Sequence, residues 1–468
     1  MTMATQAAMN ARVIPLPTPA KEGGHAVTGA ALPQAPRQPA DTGLPLLLLA
    51  ELLLKVMHQH GLQRLQELSQ HLKLAPALLE DLFVHLRKEA LAEVRLRGAL
   101  DGDVTYDLTH GGHARAMDAL TRNMYTGPAP VPIAQYTARV LAQSVTNMSV
   151  TRARFEQVLA DVAIRPELRD QLGAAMNSRR AIMLYGPPGA GKTFLCEQMA
   201  RLLTGDIAVP HAVEVGGEII RVFDPLVHRP SRPDEGPRLS LDNRQRTDAR
   251  WVMCERPVVV TGGELTLEML DLVFDPRAGY YQAPPHFKAN NGLFLVDDLG
   301  RQLITPRQLL NRWLLPMEQR HDYLMLRTGA KFQIPFDTLL FFSTNLQPEE
   351  VADEAFLRRI SYKLYVGAVD LEDYRRITRE ACEACKVNYT DAAFEHLVAH
   401  YHTRLGRPLL ACYPRDLVNQ IADYAAYLGR PPELNAQTLG WAWHNYFASN
   451  VEGDPRPAHS PRALETTP

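Results

Sequence analysis

The chain has 468 residues, 46% of them hydrophobic and 22% charged, with a formal net charge of −2. That length predicts two or three domains, and the near-neutral balance excludes a global electrostatic pull toward nucleic acid or anionic membrane. No stretch reaches the ~18 apolar residues of a membrane span, so no membrane insertion is expected, and five scattered cysteines predict reduced thiols in a cytoplasmic protein.

Residues 1–42 are rich in Ala, Pro, Gly and Thr and read as a disordered tail. Residues 43–125 read as a compact domain. A helix is predicted over 44–58, a second places Leu62, Leu65, Leu68 and Leu72 on one face, and a third does the same for Leu79, Leu82, Phe83, Leu86 and Ala90. Two alternating stretches, 94–97 and 104–108, flank a turn at 98–103, and a further helix follows from His113. Three helices and a two-stranded wing are the winged-helix order. Its nine Lys/Arg face ten Asp/Glu, and Glu80 and Asp81 sit where a DNA-reading helix would meet phosphate. That charge favours protein docking over DNA.

Residues 126–150 read as a linker, opened by the stiff Pro-rich run 125–132, and helical patterns resume over 133–163 and 165–176. An α/β nucleotide-binding core is expected over 151–368. Its first strand, 181–185, runs into Gly186, Pro187, Pro188, Gly189, Ala190, Gly191, Lys192 and Thr193, which fit G-x-x-x-x-G-K-[ST], and 194–203 reads as the helix after it. Such a loop turns successive N–H groups toward phosphate oxygens and adds the positive end of a helix dipole. Lys192 can then reach the β- and γ-phosphates of ATP, and the Thr193 hydroxyl can ligate Mg²⁺.

Further on, 213–220 reads as a hairpin about Gly216-Gly217, 224–243 as a surface excursion and 257–261 as a strand. A buried strand at 293–296 ends in Asp297 and Asp298. Asp297 is a Mg²⁺ ligand candidate, and Asp298 can orient or deprotonate the attacking water. A helix over 306–320 and a hairpin over 323–335 precede a second buried strand, 338–344, ending in Asn345, whose amide can reach the γ-phosphate or its water. Residues 369–450 form an all-α lid with Pro414-Arg415-Asp416 at a helix start, and 451–468 is a Pro-rich disordered tail. Cys382 and Cys385 form one C-x-x-C within a helical pattern, which reads as packing rather than zinc. Tyr280 and Tyr281 could grip a threaded polypeptide but read first as packing residues.

Taken together, the motifs in 181–450 resemble the AAA+ ATPases: Walker A at 186–193, Walker B at 293–298, and Asn345 at the sensor-1 position. The resemblance implies that Arg359, with Arg358 competing, is an arginine finger and that Arg415 is the sensor-2 arginine. The hairpin at 323–335 is similar to that of the pre-sensor-hairpin clade, which includes MoxR-like ATPases. Stretches 218–228, 261–272 and 307–311 resemble poorly characterised bacterial ATPases described as having predicted chaperone activity and an association with pilus assembly. The family implies ATP–Mg²⁺ hydrolysis in a homo-oligomer, a hexameric ring by analogy, that remodels a protein client. The chain departs from the family at Asp298, where Glu is usual. That departure keeps a slow, nucleotide-gated scaffold open as an alternative, beside an ATP-dependent DNA-binding regulator or loader.

Overall fold

The computed structural model describes residues 33–61, 63–97, 104–231 and 247–447. The tail at 451–468, residues 1–32 of the other tail, the turn at 98–103 and most of the excursion at 224–243 lie outside the described residues. The described chain forms two compact units. One holds residues up to Val158 with Gly173–Leu184 and Cys196–Lys363; the other holds Leu159–Leu172, Tyr185–Leu195 and the chain from Leu364.

The fold is α/β, built on a five-stranded parallel sheet flanked by helices. Its strands are β1 (Ile182–Tyr185), β2 (Val258–Thr261), β3 (Leu293–Val296), β4 (Leu339–Thr344) and β5 (Tyr362–Tyr365), in the order β5-β1-β4-β3-β2. Leu293 lies opposite both Leu339 and Val258, so β3 runs parallel to both neighbours. Every residue of β3 and β4 is buried, which is why both read as unbroken apolar runs. Phe294, Val296, Leu340 and Phe342 share one core cluster with Leu309, Leu310 and Trp313 of the helix Pro306–Gln319. That helix starts at a reciprocal cap: Thr305 Oγ1 accepts from Gln308 N, and Gln308 Oε1 accepts from Thr305 N.

A second five-stranded sheet, unread in the sequence, joins Val273–Asp275, Tyr280–Gln282, Glu218–Arg221, Ala212–Val215 and Val131–Pro132 in that order. The expected hairpin about Gly216-Gly217 supplies its middle pair. One face, with Ala212 and Ile219, joins the core of the N-terminal helices; the other, with Val213 and Ile220, joins Tyr136, Phe287, Leu324 and Ile334. The hairpin of His321–Met325 and Lys331–Pro335 forms as expected.

Residues 46–122 contain helices Leu46–His60, Leu65–Leu72 and Pro76–Lys88, the antiparallel pair Ala92–Arg97 and Val104–Leu108, and helix His110–Arg122. The segment expected as a linker at 126–150 is instead part of the fold. Val131–Pro132 pairs in parallel with Val213–Glu214, Ala129 N donates to Leu72 O, and helix Ile133–Ala142 buries Tyr136 and Val140. The prolines stiffened the chain into an edge strand rather than a free spacer. Residues 33–42, also expected as tail, are likewise part of the fold: Pro39–Thr42 is a 3₁₀ turn with Thr42 buried. The buried Arg250 guanidinium holds it there by donating to Thr42 O and Pro130 O while forking Asp248.

The second unit contains the helices Leu371–Ala384, Asp391–His396, which continues into a π-turn over Leu397–Thr403, Cys412–Leu428 and Ala436–Phe447. Tyr374, Phe394, Tyr401 and Trp443 are fully buried, and Tyr374 Oη lies 2.8 Å from His402 Nε2.

Candidate functional site

The glycine-rich turn leaves the end of β1 and enters helix Lys192–Met199. Gly186 has φ +145°, and a Cβ there would lie 2.1 Å from Val366 O. Gly189 has φ +81°, and a Cβ would lie 2.4 Å from Cys412 Sγ. Neither position admits a side chain without strain or collision. Lys192 is 5% exposed, and its Nζ donates to Gly186 O at 3.0 Å and to Pro187 O at 2.9 Å. Its ammonium is thus held against the carbonyls of its own loop. Cys412 N donates to Gly189 O at 3.2 Å, so the first turn of Cys412–Leu428 braces the loop. Arg415, expected from the resemblance, lies on this helix three residues later and is exposed.

In the first unit, Asp297 and Asp298 follow β3 and Asn345 follows the adjacent β4, so all three emerge at carboxyl ends of neighbouring strands. Asn345 Nδ2 donates to Asp298 Oδ1 at 3.1 Å. Asp298 has φ +50°, a left-handed conformation that costs a non-glycine residue energy. The turn is riveted by groups that motif reading missed. Gln302 Nε2 donates to Asp297 O at 2.7 Å and to Asp298 O at 3.2 Å, and Thr344 Oγ1 donates to Leu299 O at 2.8 Å. Glu197 was missed as well. It stands four residues after Thr193, one helical turn on, and its carboxyl is pushed up by burial and by the Asp297 charge. The spacing from Thr193 was the available signal.

Arg359 is ion-paired to Glu318 of the helix Pro306–Gln319, and Arg358 beside it is exposed. Tyr281 is buried in a strand, its Oη accepting from Arg327 N at 2.8 Å, and Tyr280 packs edge-on against Tyr125. Both rings are therefore packing residues within this chain. Cys385 Sγ donates to Asn419 Oδ1. Among the described residues no group of three or more His, Cys, Asp or Glu could hold a metal ion, and no helix is long and apolar enough to cross a membrane.

Four basic groups of the N-terminal region are engaged, whereas Arg87 and Lys88 at the end of the third helix are exposed. Arg115 and Arg122 pair with Glu51, and Arg95 pairs with Asp107. Lys55 is buried, donates to Asn123 O, and is pulled down to about 8 by that burial.

Residues 370–445 match a family described as a domain of unknown function (DUF8689). No curated protein matches the chain. Among solved structures, NtrX from Brucella abortus is 15% identical over 73% of this chain and 64% of its own, at a TM-score of 0.37. A mutant RuvB from Thermotoga maritima is 12% identical over 66% and 74%, at 0.34. The Thermotoga maritima RuvB Holliday junction branch migration motor is 15% identical over 61% and 71%, also at 0.34. The chain therefore spans less than two thirds of NtrX.

Proposed function

We propose that the chain is an AAA+-type ATPase that binds ATP with Mg²⁺ at the carboxyl ends of its parallel sheet and couples hydrolysis to remodelling a protein client. The observation that carries this reading is the placement of the G-x-x-x-x-G-K-T turn at the end of β1, where the strand order reverses direction between β4 and β5. Ligands of open α/β sheets sit at such switch points.

The residues fit the nucleotide. The turn holds Gly186, Gly189 and Gly191 at positive φ, a backbone shape that turns amides toward an anion, and Lys192 is a buried cation already bonded to oxygen acceptors. Residues 186–191, with Pro187, Pro188 and Ala190 between the glycines, bind phosphate through backbone amides, and Lys192 neutralises its charge. Thr193 and Asp297 would hold Mg²⁺, which supplies charge neutralisation at the transferred phosphoryl group. Asp298 and Asn345 position the attacking water, and Arg415 contacts the γ-phosphate. Arg359 is the finger offered to a neighbouring copy in a head-to-tail homo-oligomer, with a hexameric ring as the form expected.

The N-terminal domain reads as a winged helix used for protein docking. Three ion-paired arginines, the buried Lys55, and exposed Glu80 and Asp81 on the third helix support docking to protein over a phosphate backbone. A second reading, a scaffold that binds ATP and turns it over slowly, is favoured by one observation. The short Asp298 carboxylate is engaged by Asn345 and hangs from a left-handed backbone.

Titration with a fluorescent ATP analogue tests the reading. Lys192→Ala should weaken binding at least ~100-fold while the folded spectrum is kept. Unchanged affinity in that variant would refute the cradle.

A further inference from the structure

A cavity of about 230 Å³ lies where the 124–128 segment meets the mixed sheet, and none of its lining residues belongs to the proposed phosphate site. Its walls include Tyr125, His211, Phe223 and Tyr280, with Arg221 as the cation among them. The rings are set edge to face: Tyr125 against Tyr280 at 5.4 Å and 82°, His211 against Phe223 at 5.5 Å and 65°. Such a lining suits a flat ring, which can stack on one wall and meet the edge of another.

The charge is as specific as the shape. Among the described residues lining the cavity there is no carboxylate, and Arg221 has no ion-pair partner among the described residues. Tyr125 Oη is already spent, donating to Pro128 O at 2.7 Å, so it does not compete for an anion. Arg221 is felt at that hydroxyl, where its charge opposes the upward push of burial. The Arg221 guanidinium is exposed beside these aromatic walls, and it can bind a planar acceptor such as carboxylate through two parallel N–H bonds. The space is large enough for one ring and a short acid arm.

We propose that this cavity is a binding site for a single-ring aromatic carboxylate, with Arg221 holding the acid group and Phe223 and Tyr280 holding the ring. The site is separate from the phosphate loop and does not depend on the ATPase reading. Its ligand would touch the 124–128 segment on one side and the mixed sheet on the other.

Isothermal titration of the full chain with 4-hydroxyphenylacetate tests this. A dissociation constant of about 1 mM or tighter is expected. Tyramine, which carries a cation in place of the acid, should give no binding, and cyclohexylacetate, which lacks the flat ring, should bind at least ~5-fold more weakly. Arg221→Gln should weaken binding at least ~10-fold with an unchanged thermal melt. If that variant unfolds, Phe223→Leu and the three-ligand comparison decide. No saturable heat with 4-hydroxyphenylacetate at about 5 mM, equal binding of tyramine, or full affinity in folded Arg221→Gln would each overturn the proposal.

Discussion

The parallel sheet and the mixed sheet are both five strands wide, yet they do different work. The parallel sheet has strands of four to six residues, with β3 and β4 buried along their whole length. The mixed sheet has strands of two to four residues and borrows its edge from Val131–Pro132. The fully buried β3 and β4 make a stiff platform that ends at Asp297, Asp298 and Asn345. The mixed sheet pairs its strands in both directions, and the Arg221 cavity lies against it. Rigidity suits a site that must hold groups within about an ångström, whereas a junction suits recognition.

This contrast can be broken or sharpened by experiment. The largest effect is expected at the platform's rim. Arg359→Ala should keep ATP binding and lose ~10³-fold or more in turnover, and mixing it with Lys192→Ala should restore part of the rate. A steady-state assay of the mixture checks both, and absence of rescue would remove the shared site. Within the platform, Phe294→Ala should cost about 3–5 kcal/mol in denaturant unfolding, because the ring is buried edge-on against Trp313.

Next in size is a pH effect at Asp322, which links the helix Pro306–Gln319 to its following hairpin. Burial alone would raise this carboxyl, but His286 and Arg312 hold it down at about 2. Arg312 makes the firmer bond, with Nη1 at 2.7 Å from Oδ1 and Nη2 at 2.9 Å from Oδ2. His286 Nε2 lies 3.0 Å from Oδ2, within ion-pair range but too oblique for a hydrogen bond. A folded-state value below the unfolded one stabilises the protein above pH ~4, and that stability fades as pH falls from ~4 toward ~2. Denaturant melts across that window should lose about 2 kcal/mol from this group, and the Asp322→Asn variant should lack that slope.

Asp298→Glu should raise turnover about tenfold if the short carboxylate limits the rate; a fall in rate would argue that the left-handed turn is tuned to Asp. The smallest effect belongs to the mixed sheet. Tyr281→Phe removes one hydrogen bond to Arg327 N, should cost about 1 kcal/mol, and should leave turnover unchanged. A turnover defect there would restore Tyr281 as a working residue and erase the division of labour between the sheets.

Some of this was open to reading from residues alone. The strands at β1, β3 and β4, the phosphate-loop pattern, the 306–320 helix and the 323–335 hairpin were legible because each is a local pattern: a run, a period, a cap or a turn. Gln302 and Thr344 escaped because their roles come from what they face across the fold, and no spacing rule names a brace for a turn; Glu197 carried a helical spacing from Thr193 but takes its raised carboxyl from Asp297, far along the chain.

Amino-acid order by itself determined which stretches would be buried strands, where a glycine-rich turn would stand, and that two acids and an amide would end apolar runs. Those outcomes need only neighbours along the chain, since burial period and backbone freedom are local properties. Only the tertiary structure decided that a proline-rich stretch would become an edge strand, that Thr42 would be held by Arg250, that Asn345 would meet Asp298, and that four rings would gather about Arg221. Each of these joins segments distant in sequence, where the gain comes from packing and from satisfying buried polar groups, and neither is written in any single stretch.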